Sequence, residues 1–443
     1  MRLDVPRLEK EIGIEVYITD TDGIDGRMRK RVSDFVVEEL LPNKQNVRAL
    51  INNPPKGNTG NFTHFIIKKV NWATIEAIKA IARRLKVSYK RFSYAGIKDK
   101  RAIAFQRLSI WKVFPKDLES RPVKNIEVLA AWRERLPVKI GELWGNRFKI
   151  KVRNVSEGAN SLITKTKEQL DCFGGFPNFF GHQRFGVHRP ITHIIGKYMI
   201  QGDYENAIKE FLSKVFPLEG EDAKIARNTL AETWNYNKVI HLFPDRLKTE
   251  KRIINYLITH KDDFKGAFEA LPSSIQKIFI HGYQSFIFNK SLSYRIKKKM
   301  FSVMPGDVLL QTNEYGIPIK YPYVATEKNI EKVTEAVKKG RLVLAGPVIG
   351  YKSIIPENTW GDYIKSVLKK ESITKERFKE IEFREIDARG TYRPLFLPIE
   401  WENIEKIKED EEIVYKFTFS LQRAAYATIV MREFMKTEAT AYV

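Results

Sequence analysis

Phe92-Ser-Tyr-Ala-Gly-Ile-Lys-Asp-Lys-Arg-Ala-Ile-Ala-Phe-Gln106 is the stretch on which the reading of the chain turns. Its small pair, Ala95-Gly96, lets backbone or ligand come close. Asp99 follows between Lys98 and Lys100, cations that favour its ionised form and can hold phosphates beside it. Taken alone, the run is either a charged turn or a site. Upstream, Ile75, Ile78, Ala82 and Leu85 recur at three- and four-residue steps, the mark of one helical face, with Asn71 or Thr74 available as a cap. Lys79, Arg83, Arg84 and Lys86 make a basic side to that helix, either solvated or in contact with RNA.

Further upstream, Arg27 to Val70 reads as strands, broken by the Pro/Gly/Asn-rich loop Asn52 to Gly60. Within it Arg31-Val-Ser-Asp-Phe-Val-Val-Glu-Glu39 reads as an edge strand. Downstream, short strands and turns continue to about Val155, and Asn160 to Cys172 has helical spacing. Gly174-Gly-Phe-Pro-Asn-Phe-Phe-Gly-His-Gln-Arg-Phe-Gly186 then alternates amide, aromatic and guanidinium groups in a glycine-punctuated loop. That mixture suits either base stacking on single-stranded RNA or packing on a core. Ile191 to Met300 is helical, Phe301 to Tyr351 β-rich, Ile413 to Phe419 a strand, and Ala424 to Lys436 a helix. Tyr426 stands at that last strand-to-helix junction, as a core tyrosine or as a ring for a ligand. Mixed α/β, then helical, then mixed again is the order expected of one domain inserted into another.

With 443 residues, more than one domain is expected. A net charge of +23 attracts polyanions over long range. No apolar run reaches the ~20 residues of a membrane span, and Met1-Arg-Leu-Asp-Val-Pro6 lacks the apolar centre of a signal peptide. The single cysteine, Cys172, fits a reducing, cytoplasmic setting. Nucleic acid is therefore the expected partner. Ala345-Gly-Pro-Val-Ile-Gly-Tyr-Lys-Ser353 lacks the adjacent Gly-Lys of a phosphate loop, and there is neither a dinucleotide-type Gly-x-Gly-x-x-Gly nor a Gly-x-Ser-x-Gly elbow. His182, His188 and His193 have no cysteine partners or His-Glu-x-x-His arrangement, so structural or RNA-contacting roles are expected before metal ligation.

Together the segments resemble the TruD family of pseudouridine synthases, in its archaeal-type branch. The Ala-Gly-x-Lys-Asp-Lys-x-Ala run and Pro177-Asn-Phe-Phe-Gly-His-Gln-Arg-Phe-Gly186 carry the likeness most specifically. Gly145-Asn-Arg-Phe-Lys-Ile150, Gln284-Ser-Phe-Ile-Phe-Asn289 and Leu344-Ala-Gly-Pro347 extend it over nearly the whole chain. The resemblance implies an α+β fold: a permuted pseudouridine synthase catalytic domain with a central mixed, mostly antiparallel sheet, plus a mainly helical α/β insertion domain. The expected division is 1–190 and 396–443 for the catalytic domain and 191–395 for the insertion. It implies isomerisation of uridine, at position 13, in tRNA, with no cofactor, nucleotide or metal. Asp99 would be the catalytic carboxylate, attacking the ribose C1′ or removing a ribose proton, on a base flipped from its stack. Phe35, Asn178, Phe180, Tyr426 and Lys98 would bind substrate. Ala424-Ala425 stand where the family has Gly-Ser, and Gln422 where it has proline, which bears on the turn before Tyr426. The rival expectation is a non-catalytic RNA-binding protein or chaperone on the same fold.

Overall fold

The computed structural model describes residues 1–57, 59–381, 383 and 386–442, so Asn58 of the loop expected at Asn52 to Gly60 lies outside the described residues. In chain order the first strands are β1 (Asp25–Met28), β2 (Phe35–Leu40), β3 (Phe62–Val70), β4 (Phe92–Tyr94), β5 (Ile103–Trp111), β6 (Ile126–Glu134) and β7 (Gly145–Val155). Then come β8 (Phe176–Pro177), β9 (Val308–Thr312), β10 (Pro318–Val324), β11 (Leu342–Val348), β12 (Thr391–Pro394), β13 (Phe396–Leu397), β14 (Glu400–Glu409) and β15 (Glu412–Gln422). The main sheet runs β14-β15-β7-β2-β5-β3-β6, with β1 beside β7 and β4 beside β5. Strands from both ends of the chain therefore build one sheet. It is mixed: β2 and β5 are parallel, Val37 level with Ala104, and the other pairs are antiparallel.

β2 is not the edge strand expected of it. It lies between β7 and β5. The successive carboxylates that made it look solvated point to opposite faces of the pleat, and each is buried in ion pairs. Glu38 meets Arg48 at 2.8 Å and Arg147 at 2.7 Å, which hold it down to about pKa 2 against the cost of burial. Glu39 meets Lys98 at 2.9 Å. A buried charge is tolerated only when paired, so this acidic strand depends on its basic neighbours.

The helix over Thr74–Leu85 buries Ile78, Ala82 and Leu85 as its spacing predicts, against Phe65 and Leu108 of the sheet. Neither Asn71 nor Thr74 caps it. Ala73 occupies the N-cap position, and the Thr74 hydroxyl is engaged elsewhere, accepting from Lys98 N at 2.9 Å and donating to Gln106 Oε1 at 3.0 Å.

Between Thr192 and Pro394 lie a bundle of helices and a four-stranded sheet, β10-β9-β11-β12. Helix Ser273–Lys297 is the spine of this segment and buries Phe279, Ile287, Phe288 and Leu292. Helix Thr192–Gln201 crosses it so closely that a Cβ on Gly196 would lie 2.0 Å from Phe279 O, which only glycine permits. The β-rich stretch expected over Phe301 to Tyr351 also holds a helix, Ile330–Lys338, whose Val333 packs on Leu309. One apolar core runs through the main sheet, the spine helix and the C-terminal helix Ala427–Met435. Among the described residues, no helix is long and apolar enough to cross a membrane.

Candidate active site

Because β2 and β5 are parallel, Phe35 at the start of β2 and the loop that enters β5 lie at the same end of the sheet. That loop carries Asp99. Its backbone is pinned from below by Lys69, a lysine on β3 with no exposed surface. The Lys69 ammonium donates to Trp72 O at 2.6 Å, Asp99 O at 2.7 Å and Lys98 O at 3.4 Å. Burial lowers the Lys69 pKa to about 8. Lys98 is likewise buried, its ammonium against Glu39, and its amide N–H donates to Thr74. Two buried cations and one hydroxyl thus fix the path of the loop, and the Asp99 side chain stays accessible, 28% exposed.

Two groups face the carboxylate. Arg29 Nη2 is 3.3 Å from Asp99 Oδ1, and Gln183 Nε2 donates to the same oxygen at 3.2 Å. Arg29 is 4% exposed and its guanidinium carbon sits 3.9 Å from the centre of the Phe35 ring. Aromatic support of that kind holds a cation where water is scarce. Phe35, itself fully buried, meets Phe148 edge-on at 6.0 Å. Its place in the site is therefore as the platform beneath Arg29.

Gln183 comes from the second signature, and that loop is held from the segment between Thr192 and Pro394. Asn289 on the spine helix accepts from Phe180 N at 2.8 Å and donates to Phe180 O at 3.0 Å and Ile12 O at 3.1 Å. The Phe180 ring lies against the Arg393 guanidinium at 4.1 Å and edge-on to Phe288 and Tyr426, at 5.5 and 6.4 Å. Arg393, on β12, donates to Asn178 O at 2.8 Å, Asn178 Oδ1 at 2.6 Å and Ala424 O at 2.8 Å. The Asn178 amide nitrogen donates to Pro394 O at 3.0 Å. Asn178 is 1% exposed, so both ends of its amide are committed to orienting Arg393 and β12.

Tyr426 is half-buried at the N-cap of the C-terminal helix. The preceding turn forms without the family's glycine: Ala424 takes a left-handed φ of 66°, a conformation that costs an alanine roughly 1 kcal/mol. Asp99, Phe35, Phe180 and Tyr426 line one cleft of about 800 Å³, with Lys98 at its base and Lys100, Arg101 and Arg184 on its rim. Asn178 instead borders a neighbouring cavity. Of the residues expected from the sequence, five thus share the cleft and one stands behind its wall. Arg29, Lys69, Gln183 and Arg393 were not singled out.

His182 and His193 are buried, and burial holds both imidazoles down to about pKa 3. His182 stacks on Tyr442 and His193 on Phe286, so each is a packing residue.

Residues 11–434 match the family model described as tRNA pseudouridine synthase D (TruD). The chain is 35% identical over 446 residues to the probable tRNA pseudouridine synthase D of Methanosarcina barkeri, spanning 98% of this chain and 99% of that one. It is 34% identical over 423 residues to the protein of the same name from Pyrococcus abyssi, spanning 95% and 98%. It is also similar to the crystal structure of the putative tRNA pseudouridine synthase D (TruD) from Methanosarcina mazei, with a TM-score of 0.81 and 33% identity over 99% of this chain and 100% of that one.

Proposed function

The chain belongs to the TruD family of pseudouridine synthases, isomerases of uridine in tRNA, and from that premise we propose that Asp99 is the carboxylate that carries the reaction. The observation that supports it is the setting of Asp99: an accessible carboxylate on a loop fixed by buried charge, faced by Arg29 and Gln183, in a cleft shared with Tyr426.

The reaction breaks the N1–C1′ bond of uridine, turns the base, and joins C5 to C1′. The proton on C5 leaves, and nothing is oxidised. Asp99 acts as a carboxylate on the ribose, either by attack on C1′ or by removal of a ribose proton. Either role requires the ionised form. The uridine must leave its stack to reach Asp99. Tyr426 then stacks on the extruded uracil, a contact worth ~1–3 kcal/mol. Phe35 acts through Arg29, Asn178 through Arg393, and Lys98 through the loop backbone; these are positioning residues. Phe180 walls the cleft. Lys100, Arg101 and Arg184 meet phosphates, so affinity falls steeply with salt.

Three finer points belong to the same reading. The target is position 13 of tRNA, following the family resemblance. Residues 191–395 are a domain inserted between catalytic portions 1–190 and 396–443, which accords with β14 and β15 joining the main sheet beside β7. The enzyme works in the cytoplasm, where its substrate is. The test is tritium release from tRNA transcribed with [5-³H]uridine. Wild type releases label and Asp99→Asn does not, while its tRNA affinity stays within a few fold. Release at the wild-type rate by Asp99→Asn would overturn the assignment.

A further inference from the structure

Behind the wall made by Phe180, Arg393 and Ala424 lies a second cavity, of about 480 Å³. Its far side comes from the inserted segment, through His281 and Gln284 on the spine helix and Tyr392 on β12; its near side includes Gln422 at the end of β15. Phe180, Arg184, Arg393 and Ala424 belong to the walls of both cavities. We propose that this second cavity receives the base of the nucleotide adjoining the target uridine in the RNA strand, and that it selects a base bearing an exocyclic amino group. The inference rests on the assignment of the Asp99 cleft to the target uridine and extends it.

Three observations carry it. The first is contiguity. Two cavities that share four wall residues are about one side chain apart, the separation of successive nucleotides in an unstacked strand. Arg184, on the shared wall and half-buried, supplies charge for the phosphate between them.

The second is lining. Tyr392 offers a ring whose orientation is fixed, because its hydroxyl accepts from Ile354 N at 2.8 Å. An oriented aromatic face with amides at its border is the composition that binds unstacked bases.

The third is polarity. Gln284 donates its amide nitrogen to Ile349 O at 2.6 Å, and Gln422 donates its own to Gly316 O at 3.0 Å. Each anchor leaves the amide oxygen as the free end. These two amide oxygens are acceptors, beside the guanidinium groups of Arg184, Arg393 and Arg423, and they favour adenine, cytosine or guanine over uracil, because an acceptor facing a carbonyl stays unpaired.

The experiment replaces each nucleotide flanking the target uridine, one at a time, with an abasic residue or with uridine. At one flank kcat/KM falls about five- to a hundredfold, the range of one lost base-stacking contact. Thr391→Trp, on the exposed lip of β12, fills the cavity. This variant treats intact and abasic RNA alike, at the rate wild type shows on abasic RNA. Equal kcat/KM for intact and abasic RNA at both flanks overturns the inference, as does undiminished discrimination by Thr391→Trp. Fluorescence anisotropy with Asp99→Asn protein keeps the two readings apart. Tighter binding of intact than of abasic RNA supports the second cavity whether or not any uridine is isomerised. Equal binding sinks it even if the Asp99 assignment stands.

Discussion

The two loops that meet at Asp99 are held by opposite means. The loop over Ala95–Arg101 is fixed by charge: Lys69 gathers three backbone carbonyls, and Lys98 is buried against Glu39. The loop over Gly174–Gly186 is fixed by neutral amides and aromatic packing, with the buried Arg393 guanidinium against it. The first is anchored entirely by residues of the main-sheet region. The second is anchored by Asn289, Phe288 and Arg393, all from the segment between 191 and 395. The carboxylate therefore sits on the self-sufficient half of the site, and the aromatic wall on the half that the segment between 191 and 395 must complete. Damage to the first should fall on turnover and damage to the second on stability and substrate affinity.

The largest expected effect is that of Asp99→Asn, about 10⁴-fold or more in kcat by tritium release, with the melting temperature unchanged within a degree or two. Asn289→Ala comes next, on the opposite loop. It removes three buried hydrogen bonds and should lower the unfolding free energy by about 3 kcal/mol in urea titrations, with kcat for the folded fraction within a few fold. Lys69→Met should reverse that pattern. Freed carbonyls let the Asp99 backbone drift, for a loss of about fiftyfold in kcat with KM for tRNA nearly constant. If Lys69→Met instead unfolds the protein and leaves kcat intact, the contrast between the loops collapses.

A pH titration sharpens the same contrast. His182 lies within the amide-held loop and His193 just beyond it, and both stay neutral because burial holds them near pKa 3, below the ordinary 6.5. Between those values the unfolded chain binds protons that the native state refuses. The stability present above pH 6.5 is therefore lost as pH falls toward 3, by up to about 1.4 kcal/mol per pH unit for each histidine. His193→Phe should remove close to half of that slope between pH 4 and 6.5 in thermal melts. The smallest effect is that of Ala424→Gly. Relief of the left-handed alanine, offset by a more flexible unfolded chain, should raise stability by no more than about 1 kcal/mol.

What could be read beforehand depended on how local each feature is. The Asp99 run and the Gly174–Gly186 loop are contiguous in sequence, so their chemistry was visible, and so were Phe35 and Tyr426 through the family resemblance. Helix Ser273–Lys297 was legible because its period repeats over many turns. Lys69 left a trace that went unused: in Phe65-Ile-Ile-Lys-Lys69 it occupies the same face as Phe65 and Ile67, an inward position for a charge. Arg29 sits in the basic run Arg27-Met-Arg-Lys-Arg31 and looks like any solvated charge. Nothing in that run shows that Phe35 will lie beneath it. Arg393 lies more than 200 positions from Asn178, and only the folded chain brings them together. β2 was misread as an edge because Glu38 and Glu39 look polar until their distant partners are known.

β15 runs alongside β7 from Tyr415 to Gln422, in the interior of the main sheet, although more than 250 positions of chain separate the two strands. A nascent chain must therefore wait, with β7 bare along one side, until those intervening residues have been made. Such an open border invites pairing with other polypeptides. A chain cut short before β15 would yield no weakened enzyme but a sticky, inert fragment fit for chaperones and proteases.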